Sequence, residues 1–165
     1  MNALKKKIAI LGSTGSSGVQ ALEVIAKHPE KLQAEVLTAR HNAALLIEQA
    51  LAFNPNAVVI ADDSLYEQVK RALASTNVKV YAGENALSSV LQMDSIDIVL
   101  TALVGYSGLK PTISAIQAGK EIALANKETL VVAGELITRV AREKGVNIYP
   151  VDSEHSAIFQ CIVGE

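Results

Sequence analysis

The chain has 165 residues, half of them hydrophobic and 19% charged, with a formal net charge of -2. That balance suits a folded domain with a real core, excludes a disordered tail, and offers no basic field for nucleic acid. No apolar run approaches the roughly 18 residues that span a bilayer, and the short apolar run after Lys5, Lys6 and Lys7 stops at Gly12, too soon for a secretory signal, so a cytoplasmic protein without membrane or nucleic-acid partners is expected.

In chain order, short apolar runs alternate with amphipathic stretches of helical length. Residues 8–11 read as a buried strand. Residues 16–27 carry the helical stripe Val19, Leu22, Ile25 and Ala26, and Pro29 follows in the connection. A strand is expected over 36–38, a helix over 43–53 and a strand over 57–61. Asp62, Asp63 and Ser64 then offer caps for a helix reaching about Leu73. A short strand over 78–81 and a helix over 84–91 come next, followed by a strand over 97–101 and a helix over 108–118. The remaining expectations are a strand over 121–124, a long helix over 129–144, a strand over 146–151 and a helix from about His155.

Such alternation implies parallel pairing with right-handed crossovers. The expected class is α/β: a doubly wound, mostly parallel Rossmann-like sheet with helices on both faces. Residues 1–150 read as this domain. Residues 151–165 read as the start of a catalytic and connective domain, because a helix that has barely begun to pack points to a longer protein. The single cysteine, Cys161, excludes an internal disulfide framework and reads as a small apolar residue rather than a catalytic thiol.

Gly12-Ser13-Thr14-Gly15-Ser16-Ser17-Gly18 joins the first strand to the first helix. A tight turn at Gly12, close approach of a pyrophosphate at Gly15 and close packing at Gly18 would each require glycine. The N–H groups and dipole at the helix start favour phosphate, and Thr14, Ser16 and Ser17 offer further donors. The competing reading is a glycine-rich turn without a ligand. After the second strand comes Thr38-Ala39-Arg40-His41-Asn42, with no acid for a ribose 2′-hydroxyl. Arg40 presents a planar fork suited to a 2′-phosphate, while His41 and Asn42 can add hydrogen bonds. That favours NADPH, against the alternative of an exposed surface arginine.

Two further motifs end later strands. In Leu124-Ala125-Asn126-Lys127-Glu128 the polar residues either cap the next helix or face a ligand, with Lys127 toward a substrate oxygen and Asn126 and Glu128 toward the cofactor. In Val151-Asp152-Ser153-Glu154-His155 the two carboxylates lie two residues apart, on one side of an extended chain. Hard oxygen donors so placed suit Mg²⁺ or Mn²⁺, which would polarise a substrate carbonyl. The competing reading is a solvated acidic turn, and a first-turn histidine such as His155 is more often structural.

Taken together with Ala102-Leu103-Val104-Gly105 and Gly108-Leu109, these three motifs closely resemble the 1-deoxy-D-xylulose-5-phosphate reductoisomerase family of the non-mevalonate isoprenoid pathway. The resemblance covers essentially the whole chain. It implies rearrangement of 1-deoxy-D-xylulose 5-phosphate and reduction by NADPH to 2-C-methyl-D-erythritol 4-phosphate, with Mg²⁺ or Mn²⁺ chelating the substrate. It implies that Asp152 and Glu154 bind the metal, that Lys127, Ser153 and Glu154 contact substrate, and that Lys127 and Glu154 serve catalysis. NADPH contacts are implied for Thr14, Gly15, Ser16, Ser17, Arg40, His41, Asn42, Asn126 and Glu128. Members commonly have an apolar residue in place of Ser17 and often glycine in place of Arg40, which implies backbone contacts there. A homodimer is implied at full length, with a third metal carboxylate, the phosphate site and a lid beyond residue 165, and no turnover by this stretch alone.

Two other readings compete. A semialdehyde dehydrogenase would need a catalytic cysteine, whereas Cys161 lies on an apolar stripe with Ile158 and Ile162. A nucleotide-sensing module would have no use for the paired carboxylates Asp152 and Glu154.

Overall fold

In the computed structural model, which describes residues 4–125 and 127–151, seven strands form one sheet in the order β4-β3-β2-β1-β5-β6-β7. The strands are β1 (Lys6–Leu11), β2 (Leu32–Ala39), β3 (Ala57–Ile60), β4 (Lys79–Ala82), β5 (Ile98–Thr101), β6 (Glu121–Leu124) and β7 (Ile148–Pro150). Every pairing is parallel. Six helices connect them: α1 (Ser16–Lys27), α2 (Ala43–Phe53), α3 (Tyr66–Ala72), α4 (Glu84–Val90), α5 (Leu109–Gln117) and α6 (Lys127–Lys144). Among the described residues no helix is long and apolar enough to cross a membrane.

Alternate strand residues feed two cores. Ile8, Ile10, Val58, Ile60, Ile98 and Leu100 pack against α1, α2 and α3, whereas Ala9, Leu11, Val59 and Val99 pack against α4, α5 and α6. A strand buried on both faces has no polar side, which is why these strands read as unbroken apolar runs. Helix α1 turns Ala21, Leu22, Val24 and Ile25 inward, and a fully buried Leu or Ile contributes about 1.5–3 kcal/mol.

The differences from the sequence expectations have local causes. Strand β2 begins at Leu32, four residues before the apolar run, because Leu32, Gln33 and Ala34 pair with Lys6, Lys7 and Ile8 of β1, and the buried Glu35 takes a hydrogen bond from Asn56 Nδ2 (3.1 Å). A 3-10 turn, Gly105–Gly108, precedes α5. Helix α6 starts at Lys127 rather than Thr129 and breaks regularity at Ala133 (φ -134°, ψ 20°).

Strands β2, β3 and β4 build outward on one side of β1, and β5, β6 and β7 on the other. The direction of winding therefore reverses between β1 and β5. In open parallel sheets the crevice beyond the carboxyl ends of the strands at this switch point is where ligands bind.

Candidate cofactor site

The glycine loop leaves β1 at this switch point. Gly12 takes φ +84°, and a β-carbon there would stand 3.0 Å from the Ala102 carbonyl oxygen just past β5. A β-carbon on Gly18 would collide with the Gly12 carbonyl oxygen and come within 2.6 Å of Ser13 Cα. Both glycines are thus required by the chain's own packing. Gly15 is not: its φ is -79°, and its nearest neighbour would be the Gly12 oxygen at an ordinary 3.5 Å. Its exposed face is free for a group the chain does not itself supply.

Gly15 is also the N-cap of α1 and offers no side-chain cap. The first three N–H groups of the helix, on Ser16, Ser17 and Gly18, find no acceptor among the described residues, and neither do the hydroxyls of Thr14, Ser16 and Ser17. Unsatisfied N–H groups at a helix start, with the positive end of its dipole, favour an anion.

Ser13 is fixed rather than available. Fully buried, it donates from Oγ to Gln49 Oε1 (2.7 Å), while Gln49 Nε2 donates to its carbonyl (2.9 Å). The Gly12 N–H donates to Thr38 Oγ1 (3.0 Å) and the Ser13 N–H to the Thr38 carbonyl (2.8 Å). The phosphate loop is therefore bolted to the end of β2, where residues 40–42 follow.

Of those three, the exposed Arg40 side chain makes no hydrogen bond or ion pair among the described residues. Asn42 caps α2, its oxygen accepting from the Leu45 N–H (3.1 Å). His41 Nδ1 lies 3.1 Å from Asp62 Oδ2. An acid from the turn after β3, Asp62, thus stands beside this loop in space, with its oxygens engaged by Ser64 and His41. Its carboxyl is held below the usual carboxylate range by the Ser64 hydroxyl first, then by His41 and the Ser64 N–H. Sequence reading missed Asp62 because it took the residue only as a helix cap, a role it also fills through the Ser64 N–H (3.0 Å).

Across the switch point, Glu128 in the first turn of α6 accepts from the Gly105 N–H (2.9 Å) through Oε2. A cleft of about 500 Å³ opens beside this link, lined by Val104, Tyr106, Leu109, Glu128, Val132 and Ala133. Nothing in the sequence pattern pairs Glu128 with Gly105, which lie 23 residues apart.

Asn126, Asp152, Ser153, Glu154, His155 and Cys161 lie outside the described residues, and Lys127 is described only as the first residue of α6. Among the described residues no group of three or more His, Cys, Asp or Glu forms a metal site.

Comparison with known proteins bears on the chain as a whole. The sequence model of the 1-deoxy-D-xylulose 5-phosphate reductoisomerase family matches residues 8–134. The 1-deoxy-D-xylulose 5-phosphate reductoisomerase of Bacteroides fragilis is 61% identical over 166 aligned positions, covering 100% of this chain and 43% of that protein. The Zymomonas mobilis enzyme, solved in complex with NADPH, superposes with a TM-score of 0.87 at 44% identity, covering 96% of this chain and 41% of that one. A DOX-P reductoisomerase in complex with NADPH, fosmidomycin and magnesium gives 0.85 at 37% identity, covering 94% and 38%. The chain therefore spans about two-fifths of the length of these relatives. With the family's sequence model running from β1 into α6 across both halves of the sheet, the chain belongs to the 1-deoxy-D-xylulose 5-phosphate reductoisomerase family.

Proposed function

We propose that this chain forms the NADPH-binding part of a reductoisomerase that converts 1-deoxy-D-xylulose 5-phosphate to 2-C-methyl-D-erythritol 4-phosphate in isoprenoid biosynthesis. The observation that carries the cofactor reading is the bare Gly15 face over an uncapped helix start at the switch point. The pyrophosphate lies against the N–H groups of Ser16 and Ser17, with the hydroxyls of Thr14, Ser16 and Ser17 around it. The adenosine end runs toward Arg40, His41 and Asn42, and the nicotinamide end toward Asn126 and Glu128 across the switch point. When bound, NADPH supplies the hydride. The chain's own residues bind it, orient it, and shield one side of it with the cleft walls at Val104 and Tyr106.

Lys127 and Ser153 contact the phosphorylated sugar, Glu154 both contacts it and holds metal, and Lys127 and Glu154 serve the reaction. Asp152 and Glu154 offer the hard carboxylate oxygens that Mg²⁺ or Mn²⁺ takes. Residues 1–150 form the cofactor domain and 151–165 begin the catalytic one. The protein acts on a small molecule, as a homodimer at full length and in the cytoplasm.

The reaction is testable in a chimera in which residues 1–165 replace the corresponding segment of the Bacteroides fragilis relative. NADPH oxidation with 1-deoxy-D-xylulose 5-phosphate and Mn²⁺ is expected, and is expected to vanish with Asp152→Asn. A folded chimera that binds NADPH yet turns over no substrate would overturn the reaction. The 165-residue chain assayed by itself is expected to show no turnover.

A further inference from the structure

Asp62 belongs to no motif of the cofactor site, yet it sits against two of the three residues that follow β2. Its backbone N–H donates to the Arg40 carbonyl (3.0 Å), extending the β2–β3 pairing past the end of both strands. Its two carboxylate oxygens are divided. Oδ1 accepts from the Ser64 N–H (3.0 Å) and the Ser64 hydroxyl (2.6 Å), and Oδ2 faces His41 Nδ1 at 3.1 Å. The Ser64 bonds fix the carboxylate, so its second oxygen is aimed.

We propose that Asp62 is a positioning residue for cofactor choice: it holds the His41 imidazole so that the ring's other nitrogen, Nε2, meets the 2′-phosphate of NADPH. The inference rests on the NADPH reading above. An ionised carboxylate only accepts, so Nδ1 carries the proton between the two residues and Nε2 is the atom left for a ligand. To meet a phosphate, Nε2 must donate as well, as it does in the form of the ring that carries both protons. The His41 side chain is 68% exposed and Asp62 is its one hydrogen-bond partner among the described residues, so without Asp62 binding must order the ring. The charged group paired with the ring is Asp62, from the turn after β3; the side chain of Arg40, next to His41 in sequence, makes no hydrogen bond or ion pair among the described residues.

An open carboxylate at the end of β2 would accept from a ribose 2′-hydroxyl. Asp62 is ionised but not open: the Ser64 N–H, the Ser64 hydroxyl and His41 take up its oxygens, which leaves none for that hydroxyl.

The test is a fluorescence titration of the protein and its variants with NADPH and NADH. Asp62→Asn keeps an oxygen for Ser64 and removes the charge that holds His41. It is expected to weaken NADPH about threefold to tenfold, the cost of ordering one side chain, and to leave NADH within about twofold. In a His41→Ala background the same substitution is expected to have no further effect on NADPH. An equal loss for both cofactors, an unchanged NADPH affinity, or an undiminished effect without His41 would each overturn the inference. If Asp62→Asn fails to fold, Asp62→Ser, which keeps an acceptor for the Ser64 N–H but cannot reach His41, decides by the same readout. A wild-type protein without preference for NADPH would instead overturn the cofactor reading beneath it.

Discussion

The carbonyl oxygen of Gly12 occupies the place that a β-carbon on Gly18 would need. The two residues bring the start of α1 down onto the turn after β1, and the contact is backbone on backbone, so no side chain can rotate away to relieve it. Gly18→Ala is therefore expected to destabilise the fold by about 1–3 kcal/mol despite alanine's better helix propensity, as overpacking does. Thermal unfolding of the variant checks this, and an unchanged or raised melting temperature contradicts it.

Gly15 makes the opposite case within the same loop. Its backbone is ordinary and its β-carbon position is open. Gly15→Ala is expected to fold with only the small loss in melting temperature that alanine brings at an N-cap and to lose about tenfold or more in NADPH affinity, because the added methyl stands where the pyrophosphate approaches. Equal NADPH affinity in the variant would remove the reason given for that glycine.

The contrast between these glycines shows how far the sequence alone carries. The spacing of three glycines between an apolar run and an amphipathic helix was enough to place the loop. It also assigned Gly12 to the turn, Gly18 to close packing and Gly15 to a ligand; what it could not supply is the Ala102 carbonyl, from outside the motif, that crowds Gly12. The strands were legible because burial on both faces leaves apolar runs, and α1 and α2 match their expected bounds. The polar beginning of β2 was not legible, because Glu35 is buried only through a partner, Asn56, from another loop. The loops that follow a single strand end, such as 12–18 and 40–42, were legible as candidate positions. The contacts where two ends meet were not, as for His41 with Asp62 and for Gly105 with Glu128.

That last pair carries its own expectation. Gly105 has φ +65° and donates its N–H to the Glu128 carboxylate, a bond that ties the turn after β5 to the start of α6. Glu128→Ala is expected to speed amide hydrogen exchange at Gly105 and neighbouring residues and to weaken NADPH, with Glu128→Gln, which keeps an acceptor, intermediate. A hydrogen bond to a charged group contributes about 1.5–3 kcal/mol. Exchange at Gly105 as slow in Glu128→Ala as in the wild type would show that the loop is held by other means.

Asp62 sets an acid-side signature. Its carboxyl is held below its ordinary value of 3.8, most by the Ser64 hydroxyl. The folded protein therefore takes up this proton less readily than the unfolded chain. The resulting stability is fully present above about pH 4 and is lost as the pH falls through the lowered folded value. The stability difference between wild type and Asp62→Asn is expected to shrink on acidification from about pH 5 toward pH 3, followed by denaturant unfolding at each pH. A difference that stays constant or grows over that range would contradict the assignment.

The central claim is that the loop from β1 and the turn after β2 together hold NADPH. The measurement that tests it most directly is the paired titration of the 165-residue protein with NADPH and NADH, followed by nicotinamide fluorescence. Saturable NADPH binding, tighter than NADH by at least about tenfold and weakened about tenfold or more in Gly15→Ala, is the predicted result. Equal binding of the two cofactors, or an NADPH affinity unchanged in Gly15→Ala, would contradict it.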